Sequence, residues 1–262
     1  MYTRVVCSSI VALAIGTAQA GTVLETVNRD LPAGANANTI TTHAQDGKLR
    51  VETKPGDTLM IFKDDTIYSI NNKEKSYYAM DRAAMKRMAD QISPALKQMQ
   101  EQLAKMPPEQ RAQMEKMMGS RMPGMAKQKT QEIRKTGRTD KIGGYSCSYV
   151  EVHEDGALSD ELCVVAPGTI KGTQDLLSAA AKMSALMKEM LGGLDAPWIK
   201  QAIDRQMTDY EKIGGMPLLA RHYSGGKPSS ETTLKSIRAE AVPAALFEIP
   251  AGYKQKDMMA QR

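Results

Sequence analysis

The chain has 262 residues, a formal charge of +5 from 35 Lys and Arg against 30 Asp and Glu, and 42% hydrophobic residues. Bases and acids alternate along it and never gather into a block, which argues against nucleic acid as a partner. Beyond the N-terminus, no segment approaches the roughly twenty apolar residues that a membrane-spanning helix needs. The apolar content is unusual, with 19 methionines against two phenylalanines and one tryptophan.

The first segment, "MYTRVVCSSIVALAIGTAQA", has Arg4 ahead of an apolar stretch from Val5 to Ile15 and the small-residue site Ala18-Gln19-Ala20. This reads as a secretory signal, residues 1–20, with cleavage after Ala20. Cys7 lies inside the apolar stretch rather than at the cleavage site, so it is not read as a lipid-attachment cysteine. The expectation is a soluble periplasmic protein whose mature chain, residues 21–262, is one domain.

A run of short strands follows: "TVLETVN", "NTITTHA", "KLRVETK", "TLMIFKDD", "TIYSI" and "SYYAM", punctuated by Gly, Pro and Asn/Asp turns. Alternation with such punctuation predicts an antiparallel meander. At Asp81 the period changes. Met85, Met88, Ile92, Leu96, Met99, Leu103 and Met106 recur at steps of three or four, which predicts a helical stripe. Pro94 is expected to divide it, with Ser93 capping a new helix. "PPEQRAQMEKMMG" then predicts a further helix carrying Met114, Met117 and Met118 and ending at Gly119.

Strand pattern returns from Thr130. In "GYSCSYVEVHEDGALSDELCVVAPG" two strands flank Glu154-Asp155-Gly156, read as a three-residue loop. Counting outward pairs His153 with Ala157, Val150 with Asp160 and Cys147 with Cys163. In an oxidising compartment Cys147 and Cys163 are then a structural disulfide. A second helical segment, residues 172–210, carries Leu176, Ala180, Met183, Met187, Met190 and Leu194, with another short helix opening at Asp195. "MPLLARHYS", "ETTLKSIRAEAV" and "FEIPAGYKQKDM" close the chain as strand, strand and tail. The plan is one sheet with two methionine-seamed helical insertions, 81–128 and 172–210.

The order of "GKLRVET", "MIFKDDTIYSINNKEKSYYAM", "PPEQRAQMEKMM", "TGRTDKIGGYSCSYVEVHEDG", "GGMPLLARHY" and "VPAALFEIPAGYKQKDM" resembles the bacterial exported proteins of the DUF4412 family, a domain of unknown function. That family is similar in plan to the LolA/LolB-like proteins. The resemblance implies an α+β fold: a curved, incompletely closed antiparallel sheet, a LolA-like half-barrel, with helical insertions packed over its concave face. It also implies an apolar interior of the kind that holds lipid or acyl chains, and it supplies no catalytic residue.

The methionines admit three readings. They are adaptable core filler, or the lining of a groove for a flexible apolar partner, or a soft-metal site. Groove candidates are Met85, Met88, Met99, Met106, Met183, Met187 and Met190. For Cu(I) or Ag(I), thioethers at Met114, Met117, Met118, Met122 and Met125 have workable spacing, although no His or Cys accompanies them. His43, His153 and His222 lie far away in sequence. "HEDG" is not HExxH, no GxSxG occurs and "YSGGKPSS" is not a P-loop, so no enzyme and no cofactor are expected. Tyr68, Tyr77, Tyr78 and Tyr149 read as sheet-surface or cavity-wall residues. The functional expectation is a binding protein for a hydrophobic small molecule or a lipidated or unfolded protein, with room for peripheral membrane contact. The alternatives are the soft-metal module and a structural envelope protein.

Overall fold

A computed structural model describes residues 20–31, 37–54, 56, 58–107, 109–110, 130–192 and 210–257. The expected signal up to residue 19, the candidate metal ligands Met114, Met117, Met118, Met122 and Met125, and the helix expected after Asp195 lie outside the described residues. Strands β1 (Gly21–Asp30), β2 (Ala37–Gln45), β3 (Lys48–Lys54), β4 (Thr58–Lys63), β5 (Thr66–Asn71) and β6 (Ser76–Met80) form one antiparallel meander. Strands β7 (Gln131–Ile142), β8 (Tyr145–Glu154), β9 (Ala157–Val165), β10 (Met216–Ser224) and β11 (Lys227–Glu240) form a second. Antiparallel pairing of β1 with β11 fuses the two into one open sheet. The two-residue β12 (Lys254–Gln255) adds in parallel at the β6 edge, giving the order β12-β6-β5-β4-β3-β2-β1-β11-β10-β9-β8-β7.

The chain between β6 and β7 therefore connects strands near opposite ends of the sheet. The methionine-rich segment is the crossover that joins the two meanders. Helix α1 (Arg82–Lys105) opens that crossover, while α2 (Gln174–Gly192) and the short α3 (Tyr210–Ile213) lie between β9 and β10.

Strand β4 shows why both phases of a strand are apolar here. Successive side chains alternate faces, so Met60 and Phe62 join the core beneath α1 and α2. Leu59 and Ile61 turn to the other face, against Val242 and Phe247 of the C-terminal segment. The sheet also curls at its far end. A Cβ on Gly143, in the β7–β8 turn, would stand 2.8 Å from a methyl carbon of Leu234 on β11. Two strands, β9 and β10, intervene between those hairpins in the sheet.

Two local expectations are corrected. The β8–β9 turn has two residues, Asp155 and Gly156, with φ of 49° and 80°, and Glu154 pairs with Ala157. Both φ values are positive, as the type I′ geometry that matches strand twist requires. A bulge then shifts the register between Val152 and His153, so His153 pairs with Leu158, Val150 with Leu162 and Tyr149 with Cys163. The cysteines are thus diagonal rather than opposite. They are still bonded, with Cα atoms 5.4 Å apart, because diagonal neighbours on one face remain within reach. Second, α1 runs unbroken through Pro94. Proline removes one backbone donor, and the helix continues past the missing bond without a new cap at Ser93. Its true cap is Asp81, whose Oδ1 accepts the Ala84 N–H at 2.6 Å.

Candidate functional site

The periodicity of the two helices brings their methionines to one place. Met85 and Met190 are buried in a cluster with Ala44, Leu49, Phe62, Ile67 and Leu186, and Met88, Met183 and Met187 pack against it. Two sheet methionines, Met60 and Met80, join from below. Seven thioethers thus share one cluster with a single aromatic ring, that of Phe62. Of the remaining groove candidates, Met106 lies half-buried just past the end of α1. The side chain of Met99 lies outside the described residues.

An exposed clasp of hydrogen bonds flanks this seam. Arg82, at the start of α1, donates from Nε and a terminal nitrogen to Glu189 of α2 at 2.8 and 2.9 Å. It also donates to Asp65 in the β4–β5 turn at 3.0 Å. The hydrogen bonds to Glu189 and Asp65 raise the guanidinium pKa above its ordinary value. Arg82 is half exposed, and solvent-exposed pairs of this kind contribute little to stability.

Along another flank of α1 lies a polar cavity of about 360 Å³, lined by Ala79, Ala84, Arg87, Gln91, Gln255, Lys256 and Asp257. Its α1 residues fall at steps of three and four, next to the stripe that carries Met85 and Met88. A smaller, mostly apolar cavity of about 50 Å³ lies under the loop after β9, lined by Val165, Pro167, Ile170, Leu177 and Met216.

The sequence reading missed a second constellation. Arg29, Glu231, Arg221, Glu161, Glu151 and Arg134 are directly opposite one another on β1, β11, β10, β9, β8 and β7, so they share one face. Arg221 donates to Glu231 Oε2 from Nε at 3.0 Å and to Glu161 Oε2 at 2.7 Å. Arg29 Nε reaches Glu231 Oε1 at 3.0 Å. Arg138, displaced by the irregularity in β7, bonds Glu161 and stacks over Tyr149, 4.7 Å from the ring centre.

Glu161 and Glu231 are 5% and 3% exposed. Burial pulls the Glu231 pKa upward, but hydrogen bonds and charge from Arg29 and Arg221 outweigh it and hold the carboxyl below its usual range. Burial, then the hydrogen bond to Asp140, pushes the Tyr149 phenol up. One signal was available in the sequence: in "ELCVV" the charged Glu161 shares its phase with the buried Cys163. A charge on a core-facing phase calls for partners on adjacent strands.

Among the described residues, no group of three or more His, Cys, Asp or Glu is arranged to hold a metal ion, and no helix is long and apolar enough to cross a membrane. His43 stands apart, since burial lowers its pKa and its Nδ1 has no hydrogen-bond partner among the described residues.

A large open antiparallel sheet, mostly strand, with a disulfide and a helical crossover defines the class. The chain belongs to the DUF4412 family, a domain of unknown function, whose model matches residues 95–253. The match begins within α1 and covers the second meander and the C-terminal segment. No curated protein matches the chain. Among solved structures, it is similar to an uncharacterized conserved protein from Thermus thermophilus, with 9% identity and a TM-score of 0.44, over 91% of this chain and 90% of that one. A structure of PNGF-II is similar at 14% identity and a TM-score of 0.38, over 91% of this chain and 31% of that one. The chain therefore spans less than a third of PNGF-II.

Proposed function

We propose that the protein is an exported, periplasmic binding protein of LolA-like plan that carries a hydrophobic ligand between α1, α2 and the sheet. The ligand is a lipid or acyl chain, or the apolar portion of a lipidated or unfolded protein. The observation that carries this reading is the gathering of seven thioethers in one cluster between α1, α2 and the sheet. Methionine is unbranched and polarizable, so such a seam can part and re-pack around a variable apolar chain. Rigid aromatic packing is poorly suited to that.

The neighbouring cavity supports the same reading. At about 360 Å³ it falls within the usual range for small-ligand sites, roughly 300–1,000 Å³. Arg87 and Lys256 line it beside Asp257, and a fatty acid bound there would place its carboxylate at Arg87 and its tail toward the seam. Titration with a fluorescent fatty acid and with the matching fatty alcohol tests this. Arg87→Glu should weaken the acid by roughly tenfold while leaving the alcohol unchanged, since one charge-assisted hydrogen bond is lost. Equal binding of the acid by both proteins would reject the assignment, and failure to bind either ligand would reject the carrier.

A further inference from the structure

The methionines of the seam differ in exposure in a way that bears on oxidation. Met85 and Met190 are 2% and 7% exposed, whereas Met88, Met183 and Met187 on the helices, like Met60 and Met80 on the sheet, are only partly buried. Oxidants reach thioethers in proportion to their accessibility. The disulfide between Cys147 and Cys163 fits an oxidising compartment, where such agents are met.

The geometry points to Met88, Met183 and Met187 as a modification site, whose oxidation by a peroxide releases α1 from α2 and the sheet. The inference rests on the same seam as the carrier reading. It requires no bound ligand, so the two fail separately. In the step itself the thioether sulfur attacks one peroxide oxygen, an S–O bond forms and the O–O bond breaks. The departing hydroxide takes the proton from the new S–OH group and leaves as water, so sulfur loses two electrons and peroxide gains them.

The product is a polar sulfoxide within a cluster of Leu49, Phe62, Ile67 and Leu186, whose side chains offer it no donor. The oxygen must turn to water, and the rim opens with it. Among the described residues, α1 packs chiefly on α2 and β6, with Met85, Met88 and Ala89 turned from solvent, and its ion pairs at Arg82 are exposed. Helix α2 packs on β1, β2 and β3 and should stay. Sulfoxide reduction restores the thioether, so the change is reversible.

Hydrogen peroxide titration of the full mature chain tests this, with peptide mapping of each methionine and hydrogen exchange of α1. The expected result is oxidation of Met88, Met183 and Met187 before Met85 and Met190. Exchange in the first half of α1 should then accelerate by roughly tenfold or more, with β8 and β9 unchanged. Methionine sulfoxide reductase should restore the slow rate. A Met88→Leu, Met183→Leu, Met187→Leu variant keeps the seam volume and should hold α1 protected under the same peroxide dose. If the triple variant misfolds, Met88→Leu alone should give partial protection. Oxidation of the rim with unchanged α1 exchange, or equal loosening of the leucine variants, would overturn the proposal.

Discussion

Two regions of one sheet show opposite ways of holding a face together. Under α1 and α2 the filling is soft: seven thioethers and one phenylalanine ring among aliphatic side chains, flanked by the exposed clasp at Arg82. Across β1, β11, β10, β9, β8 and β7 it is rigid, a row of arginines and glutamates in which Arg221 bonds two nearly inaccessible carboxylates. Hydrogen-bonded charges specify a single arrangement, whereas dispersion contacts between flexible chains tolerate several. The difference teaches where this molecule can move: the ladder fixes the second meander to β1, and the seam leaves α1 free to re-pack.

Removing the central arginine should break the rigid half most severely. Arg221→Ala removes the hydrogen bonds that join Glu161 to Glu231 and leaves these carboxylates to Arg138 and Arg29 alone, so about 3 kcal/mol of stability should be lost, read by urea denaturation. Replacing both Cys147 and Cys163 by serine comes next. Closing a loop of separation 16 contributes on the order of 3 kcal/mol in the chain-entropy description. The melting temperature should fall by several degrees while ligand binding persists. Loss of function at unchanged stability would mean that the pair does redox chemistry instead.

Acid should act on the same half. The Glu231 carboxyl is held below its unfolded value, so its contribution is fully present above about pH 4.5 and is lost as pH falls through the folded pKa. The neutral His43 works in an earlier window. Its pKa is lowered in the fold by burial, so stability declines once pH drops below the unfolded value of about 6.5. Melting curves from pH 7 to pH 3 should show a shallow decline followed by a steep one, and His43→Gln should remove the shallow part. The smallest effect belongs to the soft half. Leucine at Met183 and Met187 should cost less than about 1.5 kcal/mol, since nothing there depends on a particular shape.

Much of the sheet was legible in the sequence because its strands alternate and its turns carry Gly, Asn or Asp. "KLRVETK" and "MPLLARHYS" match β3 and β10 residue for residue. Two features could not be read that way. The bulge at Val152 leaves no mark in composition, so a hairpin count gave the disulfide with the wrong register. The ladder depends on register across six strands, two of them, β1 and β11, separated by almost the whole chain. The seam was partly visible: helical spacing singled out Met85, Met88, Met183, Met187 and Met190. Met60 and Met80 were missed because strand methionines carry no periodic signal for a helix partner.

Native mass spectrometry of the protein, purified without detergent, tests the central claim most directly. The account predicts an organic adduct that extracts into solvent and exchanges for added fatty acid. A bare polypeptide that takes up no fatty acid would contradict it and leave the methionine seam as core packing alone.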